Sequence, residues 1–557
     1  MKDQARLFIA IALSFVVFFA WQLIFVDKEK EKIQPPQPSQ EAPVATGQYV
    51  KDKETTGVKS TQPAAPALIQ KEGPPPVKSA RMITVDSPLY SINISEQGAV
   101  FKSVELRQYR ERVEADSPMK QLVAQELASG TITLGFSKNS LPGMNNAVFS
   151  SIYEFEKLMV ADKDESLSFQ WQDPNGVVIE KTFYFSPDSY FIRHVVTVKN
   201  GSDQTIEDNL TLSLINLLPV NNTRFGFEGP SALIDNGVEE VPTKEIAEKS
   251  LLTGNLKWMA IQDRYFISSI IPNTPGQASM KLFLDQNNVL RADYVQAATT
   301  IHPGTQQAFE YGLFFGPKNV KIMRSVGKDL DKAVDFGWFD FIARPFLWLM
   351  NFFYGYIPNY GVAIIILTIL VKAILFPLGT KSYKSMNEMK KLQPIMAEIR
   401  EKHKGDKKKM NEEIMGLYRT YKINPMGGCI PMVAQIPVFF ALYRMLYQAI
   451  ELRHAPFFGW INDLSAPDRL FRFGFTVPFM EPPFGIPVLT LVMGATMLLQ
   501  QKMTPSPGDP NQARMMMLMP IVFTFIFINF SSGLVLYWLI NNVLSISQQY
   551  YITRKLS

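Results

Sequence analysis

The 557-residue chain has one cysteine, Cys429. A single thiol excludes an intrachain disulfide and a thiolate metal cluster. Histidine is almost as scarce. His194, His302, His403 and His454 are scattered and show no ligand spacing, so no metal is expected. Residues 81–335 also lack a Gly-rich phosphate loop, a Ser-His-Asp context and a pair of carboxylates at useful spacing, so a binding or structural domain is expected there. No cofactor motif is present in the chain. The net charge is only +5, too mild to imply direct nucleic-acid readout. Acidic residues are missing from every long apolar stretch near the C-terminus. That disfavours a proton-coupled pump, which needs carboxylate or histidine relays there.

What is present is unevenly distributed. A chain this long holds two or more domains, and its 46% hydrophobic content averages unlike parts. Residues 7–26 ("LFIAIALSFVVFFAWQLIFV") are uncharged and reach the length of about 20 residues that spans hydrocarbon. The run has no small-residue cleavage pattern, so residues 1–26 read as an uncleaved transmembrane anchor. Lys2 and Arg6 before it favour a cytoplasmic N-terminus. Residues 27–80 are rich in Pro, Gln, Lys and Glu and poor in aromatics, the composition of a disordered tether.

Residues 81–335 show period-two alternation and frequent turn signals. In "LSFQWQDPNGVVIEKTFYF" (167–185) apolar alternation flanks a "DPNG" turn, a hairpin signal. "YFIRHVVTVKNGSDQTIEDNLTLSLINL" predicts a second hairpin around "NGSD". Short strands at this spacing imply a β-sandwich, here a large exported one. Asp263 and Arg264 read as a surface pair.

Residues 341–553 are dense in Phe, Ile, Leu and Met. Five spans are expected there, at about 358–378, 427–448, 485–503, 514–530 and 532–551. With the anchor they make six transmembrane helices and place the C-terminus in the cytoplasm. Charge agrees. The loop 379–426 carries twelve basic residues, among them Lys381, Lys384, Lys390, Lys391 and Arg400, and should lie inside. Within it, Met389, Leu392, Ile395, Met396 and Ile399 form one stripe, and Met410, Ile414, Leu417 and Tyr421 another. Two amphipathic helices joined at "GDKKK" make a cytoplasmic helical hairpin.

Lys372 sits well inside the first of these spans. A cation at mid-span costs about 2.5–3.5 kcal/mol on insertion scales. Two explanations are open. The side chain snorkels to the nearby end of the helix, or it lines a hydrophilic recess. Thr368 lies four residues earlier on the same face. Other spans hold Gln435, Gln500, Gln501, Tyr537, Trp538, Asn541, Asn542 and Ser545. Polar side chains in spans face a bundle interior or a water-filled cavity. Interhelical hydrogen bonding is the rival reading for Asn and Gln.

Three stretches together, "KLQPIMAEIREKH", "YKINPMGGCIPMVAQIPVFFALYRML" and "FSSGLVLYWLINNVLSISQQ", resemble the YidC/Oxa/Alb membrane protein insertases. An anchor, a large exported β domain and five further spans resemble the YidC branch of Gram-negative bacteria. The resemblance implies a five-helix core around a hydrophilic groove, a β-supersandwich and a cytoplasmic hairpin. It implies a role in inserting, folding and assembling inner-membrane proteins, without covalent catalysis. Implied partners are nascent membrane proteins, membrane lipids, the Sec translocon, the ribosome and the signal recognition particle receptor. Lys372 stands where the family carries its groove arginine, and Gln435 at its groove glutamine. Thr368 and Trp538 fall at a threonine and an aromatic on the substrate-contacting face. The remaining groove candidates are Tyr537 and Asn541. The rival class is a polytopic transporter or channel with a soluble sensor domain, which would need internal repeats or broken helices.

Overall fold

A computed structural model describes residues 80–144, 147–218, 227–421, 430–504 and 510–556. The expected anchor at 1–26 and nearly all of the tether lie outside the described residues.

The described residues between 82 and 317 form a sandwich of sheets, with strand numbers that hold among those residues. One has five strands and runs from Met119–Gln121 through Val100–Arg110, Tyr90–Ser95 and Met82–Asp86 to Lys157–Met159. The other has thirteen. The sheets meet through apolar side chains that alternate along each strand. Phe101 of the small sheet lies 5.1 Å from Phe183 and 5.7 Å from Phe315 of the large one. In Val177–Phe185 every second residue is buried, and Lys181 occupies one of those inward positions. Its ammonium donates to the carbonyls of Gly98 (3.0 Å), Ala99 (2.7 Å) and Ile132 (3.2 Å). Three N–H donors meet three acceptors, which is how a buried cation is tolerated. Burial still lowers its pKa to about 7. Beside it His194 stacks on Phe183 at 4.1 Å, and burial pulls that imidazole well below its ordinary value.

The expected first hairpin is present. Glu165–Gln172 pairs antiparallel with Val177–Phe185. Asp173 Oδ1 accepts from the amides of Asn175 and Val177, and Gly176 takes φ +94° to close the turn. The second expected hairpin is not. Phe191–Asn200 pairs with Val177–Phe185 on one edge and Gln306–Pro317 on the other. With both edges taken, the chain after "NGSD" moves on. Ile206–Asp208 pairs with Thr299–Ile301, and Leu210–Leu217 with Val289–Gln296. Asn200 Nδ2 closes the loop onto the carbonyls of Gln204 and Ile301.

Among the described residues nine α-helices follow: α1 (Val320–Val326), α2 (Asp340–Tyr356), α3 (Tyr360–Lys391), α4 (Gln393–Lys402), α5 (Lys407–Thr420), α6 (Ile430–Gln448), α7 (Val488–Met503), α8 (Pro510–Phe527) and α9 (Ser532–Leu556). Helices α3 and α6–α9 overlap the five stretches expected as spans. Among the described residues only α3 is long and apolar enough to cross a membrane by length and composition. α7 has 16 residues, and the apolar run of the continuous helix α9 is broken by Asn541, Asn542, Ser545, Gln548 and Gln549.

The hairpin boundary needs correction. α3 continues to Lys391, so residues 379–391 extend that helix rather than belong to the hairpin expected at 379–426. Its 32 residues reach about 48 Å, well beyond a hydrocarbon core of about 30 Å. The break falls at Leu392, and Pro394 sits in the first turn of α4, where its missing N–H costs nothing. The turn at 403–406 is where the sequence placed it. There Asp406 caps α5 by accepting from the amides of Lys408 and Lys409. Tyr418 donates to Met396 Sδ across the pair at 3.5 Å.

Asp263 and Arg264 are not a surface pair. Asp263 accepts from the amides of Tyr265 and Phe266. Arg264 reaches the end of α6, where it donates to Tyr447 O at 2.7 Å and lies 3.5 Å over the Tyr447 ring. Arg453 answers from the other side, donating to the carbonyls of Arg110 (2.6 Å) and Glu111 (3.1 Å). Asn319 donates to Glu451 at 3.1 Å, and burial raises that carboxyl. These bonds fix the β domain to the last turn of α6 and to the segment just after it, residues 451–453.

Candidate functional site

The polar residues of the apolar helices converge on α9. Tyr537, Asn541 and Ser545 follow at four-residue steps and Gln548 at a further three, so they line one stripe. Lys372 of α3 is half-buried and donates to Ser545 Oγ at 2.6 Å. Ser545 Oγ donates to the Asn541 carbonyl at 2.7 Å. Gln435 of α6 donates to Asn541 Oδ1 at 3.0 Å, and its side chain lies beside the Tyr537 hydroxyl. One chain of polar contacts therefore joins α3, α9 and α6. Gln548 extends it, donating to Phe376 O (3.0 Å) and Thr380 Oγ1 (3.3 Å). α3 and α9 come close enough there that a Cβ on Gly379 would stand 3.0 Å from Gln548 Nε2.

Two predicted residues stand apart from this chain. Thr368 is buried, and its hydroxyl donates to Ile364 O of its own helix at 2.7 Å. Trp538 packs edge-on to Phe439 at 4.8 Å and Phe527 at 5.0 Å, in an aromatic cluster of α6, α8 and α9. Gln500 and Gln501 lie half-buried near the end of α7.

The chain matches the 60Kd inner membrane protein family over residues 352–557 and the YidC periplasmic domain over residues 82–349. A membrane protein insertase YidC of Syntrophobacter fumaroxidans is 40% identical over 99% of this chain and 100% of its own length. This chain belongs to the YidC family. A second YidC relative, from Pelobacter propionicus, is 39% identical over 99% of both chains. The crystal structure of an active YidC insertase with its first transmembrane domain resolved covers 85% of this chain and 93% of its own. Its identity is 17% and its TM-score 0.37. Membership rests on the relatives in sequence.

In this YidC-family chain the sequence reading missed Gln548 and Gln549. Gln549 and Asn542 form a second polar stripe seven residues apart on α9. Asn542 Nδ2 donates to Thr496 Oγ1 at 3.3 Å and Gln549 Nε2 to Met503 O at 2.9 Å, both on α7. The 537-541-545 spacing held the signal for the first stripe, and 542-549 for the second. A helix with two polar stripes reads as weakly apolar, which hid the second behind the first.

Proposed function

We propose that the chain is a membrane protein insertase that also helps inner-membrane proteins fold and assemble, and that Lys372 supplies the charge of its groove. The observation that carries this reading is the polar chain Lys372–Ser545–Asn541–Gln435 across three apolar helices. Snorkelling alone would aim Lys372 at the helix end, whereas its ammonium is turned onto α9. A cation beside neutral hydrogen-bonding groups lowers the cost of drawing a short polar or acidic exported segment into the membrane. The segment's apolar helix then partitions into lipid along neighbouring apolar faces. The work is done by partitioning and electrostatics, with no covalent step. The Thr368 hydroxyl is bonded within its own helix and the Tyr537 hydroxyl lies beside Gln435, while Trp538 packs among aromatic rings at the edge of this polar chain.

In this reading residues 1–26 anchor the chain in the inner membrane, 27–80 tether it, and both termini lie in the cytoplasm. The β domain, residues 81–335, is periplasmic, and the hairpin α4–α5 is a cytoplasmic docking surface. Nascent membrane proteins are the substrates, and the Sec translocon, the ribosome and the signal recognition particle receptor are partners. Depletion of the protein tests the class. Loss of an insertase leaves small membrane proteins outside the bilayer. If they remained inserted while a solute flux disappeared, the protein would be a transporter.

A further inference from the structure

Between α6 and α7 the chain forms a two-stranded ribbon, Leu470–Phe473 against Phe484–Ile486. Its outward side is aromatic. Phe471 is 70% exposed, Phe475 65% and Phe479 84%. The tip, "FGFTVPFM" (473–480), carries no charge. Arg472 is turned away and pairs with Glu114 of the β domain at 2.6 Å. Phe471 and Phe479 both hold left-handed backbone, φ +53° and +64°. Bulky residues avoid that region, and strain of this kind persists only where the surroundings enforce it. Here it turns two large apolar side chains outward, away from any protein contact that would reward it.

The ribbon is also held at a defined height. Arg469 donates to Pro483 O (2.9 Å) and Ile528 O (2.9 Å). Asn529 donates to Phe479 O (2.9 Å) and accepts from the amide of Glu481 (2.9 Å). Asp468 accepts from the Leu489 amide at the start of α7 (2.8 Å). The platform is therefore built from the end of α8, the turn into α9 and the beginning of α7. Exposed apolar side chains continue down those helices at Leu491, Val492 and Phe525. In a 60Kd inner membrane protein family member such faces meet lipid, and their ends mark the interface where aromatic side chains concentrate.

We propose that this ribbon is a lipid-binding element. It seats Phe471, Phe475 and Phe479 in the leaflet on the β-domain side, beside α7 and α8. The uncharged tip, the outward strain and the continuity with the helical apolar faces fit hydrocarbon and the acyl boundary of the headgroups. The expected depth is about 5–10 Å below that boundary.

The test uses the full chain in proteoliposomes, with Cys429→Ser as background and single cysteines at Phe475→Cys, Phe479→Cys and Thr476→Cys carrying a fluorophore. Labels at Phe525→Cys and Lys163→Cys serve as lipid-facing and water-facing references. Quenching by lipids brominated near the headgroup should approach that at the Phe525 position. Quenching by iodide should be severalfold weaker than at the Lys163 position. Iodide quenching equal to that at Lys163 would overturn the proposal. So would protection that appears only when a client chain or a second protein is added, because the occupant would then be polypeptide. The Thr476 label decides the matter if either phenylalanine variant fails to fold.

Discussion

Replacing Lys181 with methionine should change how stability depends on pH, and the sign follows from its surroundings. Burial lowers the lysine from 10.5 to about 7 in the folded chain. Between those values the unfolded chain binds more protons, so wild-type stability rises with pH there. Between pH 7 and pH 9 this one group contributes a rise of about 2 kcal/mol. Lys181→Met removes the titration but leaves the carbonyls of Gly98, Ala99 and Ile132 without its N–H donors. That loss costs about 1–3 kcal/mol for each acceptor left bare. The variant is therefore less stable throughout, and its deficit grows by about 2 kcal/mol from pH 7 to pH 9, or about 4–8 °C in Tm for a domain of this size. Lys318, which burial lowers to about 8, titrates in the same window but is common to both chains and cancels. His194 changes charge only below its ordinary value and stays neutral here. The assay is thermal unfolding of residues 80–336 of both chains at half-unit pH steps. Parallel curves from pH 7 to pH 9 would refute the reasoning.

Arg264→Ala should loosen the joint at Tyr447, since a charged hydrogen bond and a stacked ring are lost together, about 2 kcal/mol. Amide exchange confined to residues 262–266 and 445–453 would rise, and unchanged exchange would count against the joint. Deleting residues 384–420, which takes the last eight residues of α3 together with α4 and α5, should impair growth as sole copy while the remainder of α3 and α6–α9 stay folded; normal growth would remove the hairpin from the mechanism. Gly494→Val places a Cβ about 2.2 Å from Thr524 Oγ1 and should destabilise the α7–α8 contact by about 1–3 kcal/mol. It would be read as a lower yield of folded protein in detergent, and wild-type yield would show that the contact is slack.

The sequence was most legible where local pattern and tertiary outcome agree. Alternation in residues 165–185 marks two strands, and "DPNG" forms the turn between them. It failed at "NGSD", where the same local chemistry closes a loop, because the partners of Phe191–Asn200 come from residues 177–185 and 306–317. Lys181 lay in plain view at an inward position of the alternation, yet its three acceptors come from turns and bends 49 to 83 residues away. At the candidate site, single polar residues in apolar runs pointed to Lys372, Gln435 and Asn541; Gln435 bonds Asn541 directly, and Lys372 reaches Asn541 through Ser545. Thr368 shared a face with Lys372 by periodicity, but a threonine in a helix satisfies itself on the preceding turn. Arg264 could not be placed from sequence, since its partner Tyr447 lies 183 residues away.

The central claim is that the charge at Lys372 draws polar or acidic segments into the membrane. Its most direct measurement is insertion of an acidic-tailed and a neutral-tailed client by wild type and by Lys372→Arg, Lys372→Ala, Lys372→Glu and Lys372→Leu at matched protein levels. The account predicts activity for Arg, which keeps the charge, and a loss for Ala that is larger with the acidic client. It predicts a greater loss for Glu, which repels that client. Full activity of the Leu variant on both clients would contradict the account and leave Lys372 as a side chain that only reaches for the membrane surface.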